Sequence, residues 1–175
     1  MSEVMEQVIA DRDRTERLDR VGLWIRRASL GVLIAVVVVA LLNVVGQRAN
    51  TTTVSNASAT LSVRAPSAVR SGLLFQGRIA VTAHRPLTNA QLVLGRGWID
   101  GLTMNTEEPS ASTETSGPNG SLVFSLGPLK AGQTFVQYLE YQVNPTSVGG
   151  RNQYVGIRGG GADVISMNHH LTIVP

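Results

Sequence analysis

The 175 residues carry 15 Lys+Arg against 12 Asp+Glu, no cysteine, 18 glycines and only 5% aromatics. The lack of cysteine excludes a disulfide framework, thiolate metal ligation, covalent haem attachment and a cysteine nucleophile. The net charge of +3 gathers into no basic patch with interleaved aromatics, so no nucleic-acid partner is expected.

Residues 1–27 are neutral overall: six arginines (Arg12, Arg14, Arg17, Arg20, Arg26, Arg27) stand against six acidic residues. Asp13 with Arg17 and Glu16 with Arg20 are acidic-to-basic i,i+4 pairs in the favoured order, which predicts a helical tail. Val4, Val8, Leu18 and Ile25 could share a stripe, but Asp11, Thr15 and Gly22 interrupt it, so a coiled coil is not expected. The tail reads either as a helix docked on a cytoplasmic partner or as a solvated extension.

From 28 to 45 the sequence ASLGVLIAVVVVALLNVV holds no charge. At ~1.5 Å per residue it rises ~27 Å, and Leu23, Trp24 and Ile25 extend it toward a full bilayer crossing. A transmembrane helix is therefore expected over 28–46, with Trp24 beside Arg26 and Arg27 as its interfacial anchor. The apolar block exceeds the roughly 7–15 residues of a signal peptide. The nearest small-x-small site, Ala57-Ser58-Ala59, lies far downstream, so the anchor is expected to stay uncleaved. Only Arg48 and Arg64 follow the block closely, which places the N-terminus in the cytoplasm and the rest in the periplasm or outside the cell. The expected location is the cytoplasmic (inner) membrane, with the bilayer and integral membrane subunits as partners. Gly31 and Ala35, a small-xxx-small pair, and Asn43 are candidate helix–helix contacts.

Residues 47–58, QRANTTTVSNAS, read as a polar tether. From 59 to 175 the pattern changes to period two. Phe75, Gly77, Ile79, Val81 and Ala83 alternate with Gln76, Arg78, Ala80 and Thr82. Phe135, Leu139, Tyr141 and Val143 alternate with Tyr138, Glu140 and Gln142, and Ile165, Met167, Leu171 and Ile173 share a face. Such alternation marks strands with one buried side. Shorter strands are expected at 60–64, 90–94, 121–126 and 153–158. Turn chemistry separates them at Arg85-Pro86, Gly117-Pro118, Gly127-Pro128, Asn144-Pro145, Gly149-Gly150 and Gly159-Gly160-Gly161. About seven short strands predict a mainly β fold, an antiparallel Ig-like sandwich with Greek-key connections.

Gly101-Leu102-Thr103, the run from Ser121 to Gln133 and the long alternating strand into Val143 together resemble bacterial immunoglobulin-like domains of the CARDB type. In those domains a "leucine, x, alanine, glycine" turn introduces a strand of the second sheet, and Leu129-Lys130-Ala131-Gly132 occupies that place here. The resemblance covers 73–175. It implies an Ig-like fold in the cell envelope and carries over no functional residues. This chain departs from those domains in having a single copy behind an N-terminal apolar segment.

Catalytic chemistry has little to stand on. His84, His169 and His170 are the three histidines, and Met167 and Met104 could add soft ligands for copper. Consecutive strand residues point to opposite faces, so His169 and His170 cannot share an ion without a bulge. Met167 and His169 remain the metal-ligand candidates, against a hydrogen-bonded core histidine as the plainer alternative. Glu107 and Glu108, in a Ser/Thr/Pro-rich stretch expected to be a loop, lack the aromatic-walled cleft that glycoside hydrolysis uses. No nucleophile-elbow or phosphate-loop motif occurs, so no catalytic residue and no cofactor is assigned. The sequons at Asn50, Asn56 and Asn119 read as chance in a Ser/Thr/Asn-rich chain. Trp98, within LGRGWIDGL, is either a core plug beneath a sheet crossover or an exposed anchor for a partner.

The favoured function is a non-catalytic accessory or assembly subunit of a larger bacterial membrane complex, its sandwich contacting an extracytoplasmic partner. The alternatives are a surface-display or adhesion module for a glycan or protein, and a copper-handling protein.

Overall fold

A computed structural model of the chain describes residues 2–41, 47–110 and 113–175, with side chains described from residue 21 onward. The residues form two compact units, Met1–Gly46 and Gln47–Pro175.

The first unit is one helix, α1 (Ser2–Leu41), of 40 residues. It contains no proline, so nothing forces a break between the charged tail and the apolar segment. The apolar stretch, Val21–Leu41, has 21 residues. It rises ~32 Å, enough for a hydrocarbon core of about 30 Å. Its large apolar side chains are exposed, from Val38 at 45% to Leu41 at 79%. Asn43 and the side chains of the Asp13–Arg17 and Glu16–Arg20 pairs lie outside the described residues.

The second unit is a two-layer β-sandwich. Its strands are β1 (Ala49–Ser55), β2 (Ala59–Pro66), β3 (Ala68–Arg70), β4 (Leu74–Ala83), β5 (Leu87–Leu94), β6 (Leu102–Glu108), β7 (Glu114–Ser116), β8 (Leu122–Leu129), β9 (Thr134–Val143), β10 (Gly149–Gly159) and β11 (Ala162–Val174). A five-stranded sheet has the order β1-β2-β4-β9-β6, and a six-stranded sheet the order β3-β11-β10-β5-β8-β7. Neighbours run antiparallel except β3, which lies parallel to β11. Among the described strands, only β1–β2, β7–β8 and β10–β11 are consecutive pairs within one sheet; the other successive strands lie in opposite layers. Gly160 and Gly161, at φ +59° and +86°, close the β10–β11 hairpin in a conformation that favours glycine. The Leu129–Gly132 turn does introduce a strand of the opposite sheet: Gln133 N–H donates to Lys130 O at 3.0 Å, and β9 follows.

Seven strands coincide with the expected ones, and the differences have local causes. Residues 49–55, expected to be tether, form β1. Their threonines and Val54 suit an extended backbone, and they pair residue for residue with β2 from Ala49↔Pro66 to Ser55↔Thr60. Asn56 holds that hairpin: its Oδ1 accepts from Ser58 and Ala59 N–H at 2.8 and 2.9 Å, and its Nδ2 donates to Val164 O at 2.7 Å. The expected loop around Glu107 and Glu108 contains β6, paired with β9, and β7, paired with β8. Gly127-Pro128 is a bulge within β8 rather than a turn, with Gly127 at φ +73° where the register against β5 shifts.

The period-two faces meet in one core. Phe75, Ile79, Val81, Leu139, Tyr141, Ile165, Met167, Leu171 and Ile173 are all buried in it. Tyr141 stacks on Phe75 with centroids 5.3 Å apart, and Trp98 leans on Tyr141 at 5.6 Å. Trp98 sits on a short 3-10 turn, Arg96–Trp98, after β5. Glycines make its seat. A Cβ at Gly77 would lie 3.2 Å from the indole, and one at Gly97 would lie 2.1 Å from the carbonyl oxygen of Asn152. The alternation also carries Gln137 inward, where its Nε2 donates to Pro109 O at 2.8 Å.

The two tryptophans are Trp24 and Trp98, so in a Trp24→Phe background the fluorescence of Trp98 alone reports the core. There, Gly77→Ala or Gly97→Ala is expected to lower the urea midpoint clearly. Trp98→Ala, followed by circular dichroism, is expected to cost about 3–5 kcal/mol.

Burial, and secondarily the negative charge of Glu114, push the Tyr141 phenol above its ordinary range. The folded state therefore holds that proton more tightly than the unfolded chain, which releases it near pH ~10. Its contribution is complete below that pH and is lost as pH rises beyond it, at about 1.4 kcal/mol per pH unit. Urea titrations from pH 8 to 11 should show this loss in the native chain and its removal in Tyr141→Phe.

Candidate functional site

The outer face of the five-stranded sheet carries a row fixed by register: Thr51, Arg64, Arg78, Tyr138 and Glu108 lie side by side on β1, β2, β4, β9 and β6. The β2–β4 ladder ends at Arg64↔Arg78, while β4 continues along β9 to Leu74 and β2 continues along β1 to Pro66. The two strands thus diverge beyond the arginines. A groove of about 450 Å³ opens there, lined by Gln47, Arg64, Pro66, Gln76, Arg78 and Tyr138, with Ala49 and Phe75 completing it.

Within the groove the Arg78 guanidinium lies 5.9 Å from the Tyr138 ring centroid, and its Nε donates weakly to the Tyr138 hydroxyl at 3.4 Å. Tyr138 is 39% exposed, an amphipathic wall with its ring available to solvent. Among the described residues neither Arg64 nor Arg78 forms an ion pair. Glu140 lies across from Gln76 one row away, and Glu108 lies on the far side of Tyr138.

A second groove, about 340 Å³, lies on the six-stranded sheet, and its lining includes Arg96, Tyr154 and Arg158. Its arginines are occupied. Arg96 pairs with Asp100 at 3.3 Å, and Arg158 with Asp163 at 2.7 Å, which raises the Arg158 pKa through that hydrogen bond. The two faces therefore differ in kind: one has neutralised cations and the other a pair of cations facing solvent.

The residues singled out from sequence do not converge on either groove. Trp98 is 1% exposed and belongs to the core, so the exposed-anchor alternative is not the one realised. Its buried Nε1 has no hydrogen-bond acceptor among the described residues. Met167 and His169 both point inward, and the Nε2 of His169 lies 3.1 Å from Pro66 O, the hydrogen-bonded core histidine. His170 faces outward with Nδ1 3.2 Å from Asn152 Oδ1, and His84 joins Asn56 O and Thr60 Oγ1, both at 3.0 Å. Among the described residues no three His, Cys, Asp or Glu side chains gather where an ion could be held. Gly31 and Ala35 lie four residues apart on the exposed helix, with open space around Gly31.

Sequence reading missed Arg64, Arg78 and Tyr138 as a group. The alternation did put Arg78 and Tyr138 on the solvent side of their strands. What it lacks is register, since a period-two pattern does not say which residue of β2 lies beside which residue of β4.

No protein-family model and no curated protein matches the chain. Solved structures resemble it at low identity. AvmM, which catalyses macrocyclization in alchivemycin A biosynthesis, is 9% identical with a TM-score of 0.47, over 73% of this chain and 92% of that one. CaCohA2 from Clostridium acetobutylicum is 12% identical with a TM-score of 0.48, over 68% and 92%. The cohesin module of a Clostridium perfringens family 33 glycoside hydrolase is 15% identical with a TM-score of 0.39, over 73% and 97%.

Like charges directly opposite on neighbouring strands are destabilising by tenths of a kcal/mol to about 1 kcal/mol. Arg64→Gln is therefore expected to leave the thermal midpoint unchanged or raise it, whereas Arg158→Gln, which breaks an ion pair, should lower it slightly.

Proposed function

We propose that this chain is a non-catalytic accessory or assembly subunit of a bacterial membrane protein complex. In this reading the Val21–Leu41 segment is an uncleaved anchor in the cytoplasmic membrane, the charged tail lies in the cytoplasm, and the sandwich meets an extracytoplasmic partner. The observation that carries it is the helix itself. Val21–Leu41 is long enough to cross a bilayer, and its side chains are exposed along the whole length. Burying that surface is worth about 25 cal/mol per Å², so lipid or neighbouring helices must cover it. Gly31 and Ala35 then offer a close approach for another helix. The kinship to CARDB-type domains belongs to this proposal and rests on the Leu129–Gly132 turn leading into β9.

The chain contains no cysteine, so single cysteines placed at Ser2 and Ser116 are unique labels. In intact cells a membrane-impermeant maleimide is expected to label Ser116→Cys and to reach Ser2→Cys only after permeabilisation. Loss of the Ser2→Cys label from the mature protein would show a cleaved signal peptide instead. Purification of the full-length chain in mild detergent should bring a fixed set of membrane subunits at constant ratio. A lone monomer or homodimer would favour the adhesion or display alternative.

A further inference from the structure

The groove between Arg64 and Arg78 has a chemistry that the subunit role leaves unused, and we infer that it binds the phosphodiester headgroup of an anionic phospholipid. The inference rests on the anchor reading for the source of its ligand and on the groove for its chemistry. Two guanidiniums stand on directly opposed residues of β2 and β4, both lining one concavity, neither held by a carboxylate among the described residues. Arginine presents a planar fork of donors that matches phosphate oxygens bidentately. An oxyanion between the two forks offsets the like-charge repulsion between Arg64 and Arg78.

The shape fits a headgroup rather than an extended anionic polymer. The groove is bounded where β2 and β4 diverge, with Pro66, Ala49 and the ring of Tyr138 supplying apolar wall beside the cations. Tyrosine is enriched at the polar edge of a bilayer, where its amphipathic ring sits at headgroup level. Gln76 and Gln47 add amide donors for glycerol or ester oxygens. Chain reach supplies the source. Gln47 lines the groove and follows Leu41, the last described helical residue, by six positions, a length that spans at most roughly 20 Å. A membrane-crossing α1 therefore ends within that length of chain from a groove residue, and the phospholipids of the adjoining leaflet carry the phosphodiester that the two forks match. The second groove lacks this chemistry because Asp100 and Asp163 already occupy its arginines.

The test uses the full-length protein in neutral detergent and a fluorescent short-chain phosphatidylglycerol, with short-chain phosphatidylcholine and inorganic phosphate as competitors. Saturable binding is expected, with unlabelled phosphatidylglycerol competing at least tenfold better than phosphatidylcholine. The double variant Arg64→Gln/Arg78→Gln should bind at least tenfold more weakly while melting no lower than the native chain. Arg96→Gln should bind as the native chain does. Inorganic phosphate competing as well as the lipid would overturn the lipid source and leave a free oxyanion as the ligand. Equal binding by the double variant, or none by the native protein, would overturn the groove assignment. Cleavage of the anchor, read separately from the Ser2 label, would defeat the anchor reading without altering this binding measurement.

Discussion

The contact of Trp98 with both layers of the sandwich is the constraint around which the second unit is organised. The indole is carried by a turn fastened to the six-stranded sheet, where Gly95 N–H donates to Tyr154 O at 2.9 Å. Its ring lies against Gly77 and Tyr141 on the five-stranded sheet. A side chain of that volume enters only because β4 has no Cβ at residue 77 and the turn has none at residue 97. The cost is a buried indole N–H without an acceptor among the described residues, a penalty of about 1–3 kcal/mol. Packing of three aromatic rings against one another offsets that penalty. The surface features follow from this centre, since the same β4 that yields to the indole on its inner face at Gly77 carries Arg78 on its outer face.

How much of this was legible in the residues depends on whether the signal is local. Alternation in β4, β9 and β11 marked both their existence and their buried sides, because a strand between solvent and core records its environment every second residue. β1 and β7 carry no such record. Nearly every residue of both is exposed, so their composition looks like linker and only the pairing partner makes them strands. Gly127-Pro128 carries the chemistry of a turn, yet tertiary pairing with β5 uses the pair as a bulge. Gln137 stands on the inward set of β9 although its side chain is polar, because Pro109 O, just past the end of the neighbouring strand β6, supplies its partner. The candidate site is the extreme case. Its arginines are fourteen residues apart in sequence (78 − 64) and become neighbours only through the β2–β4 register.

The two outer faces show how one composition yields different electrostatics. Along the five-stranded sheet one end of the face is a hydroxyl ladder, with Thr53 to Ser62 at 3.1 Å, Ser55 to Thr60 at 2.7 Å and Thr82 to Thr134 at 2.8 Å. The other end carries the Arg64 and Arg78 guanidiniums and Tyr138. Neutral, self-satisfied hydrogen bonding at one end and open cationic character at the other give the face a direction. On the opposite sheet, Asp100 and Asp163 cancel the arginines locally. The modest net charge of the chain thus includes one concavity lined by two arginines with no carboxylate partner among the described residues.

The placement of β1 has a mechanical side. β1 is the first strand after the helical unit, and its pairing with β2 runs from Ala49↔Pro66 at the open end to Ser55↔Thr60 beside the turn. β1 is an edge strand, joined to its sheet through this one ladder. Its seven residues, fully released, would add about 23 Å of chain. The pairing of β2 with β4 does not depend on that ladder. β1 is thus the strand whose release would cost the core least, since each of its residues except Val54 is exposed.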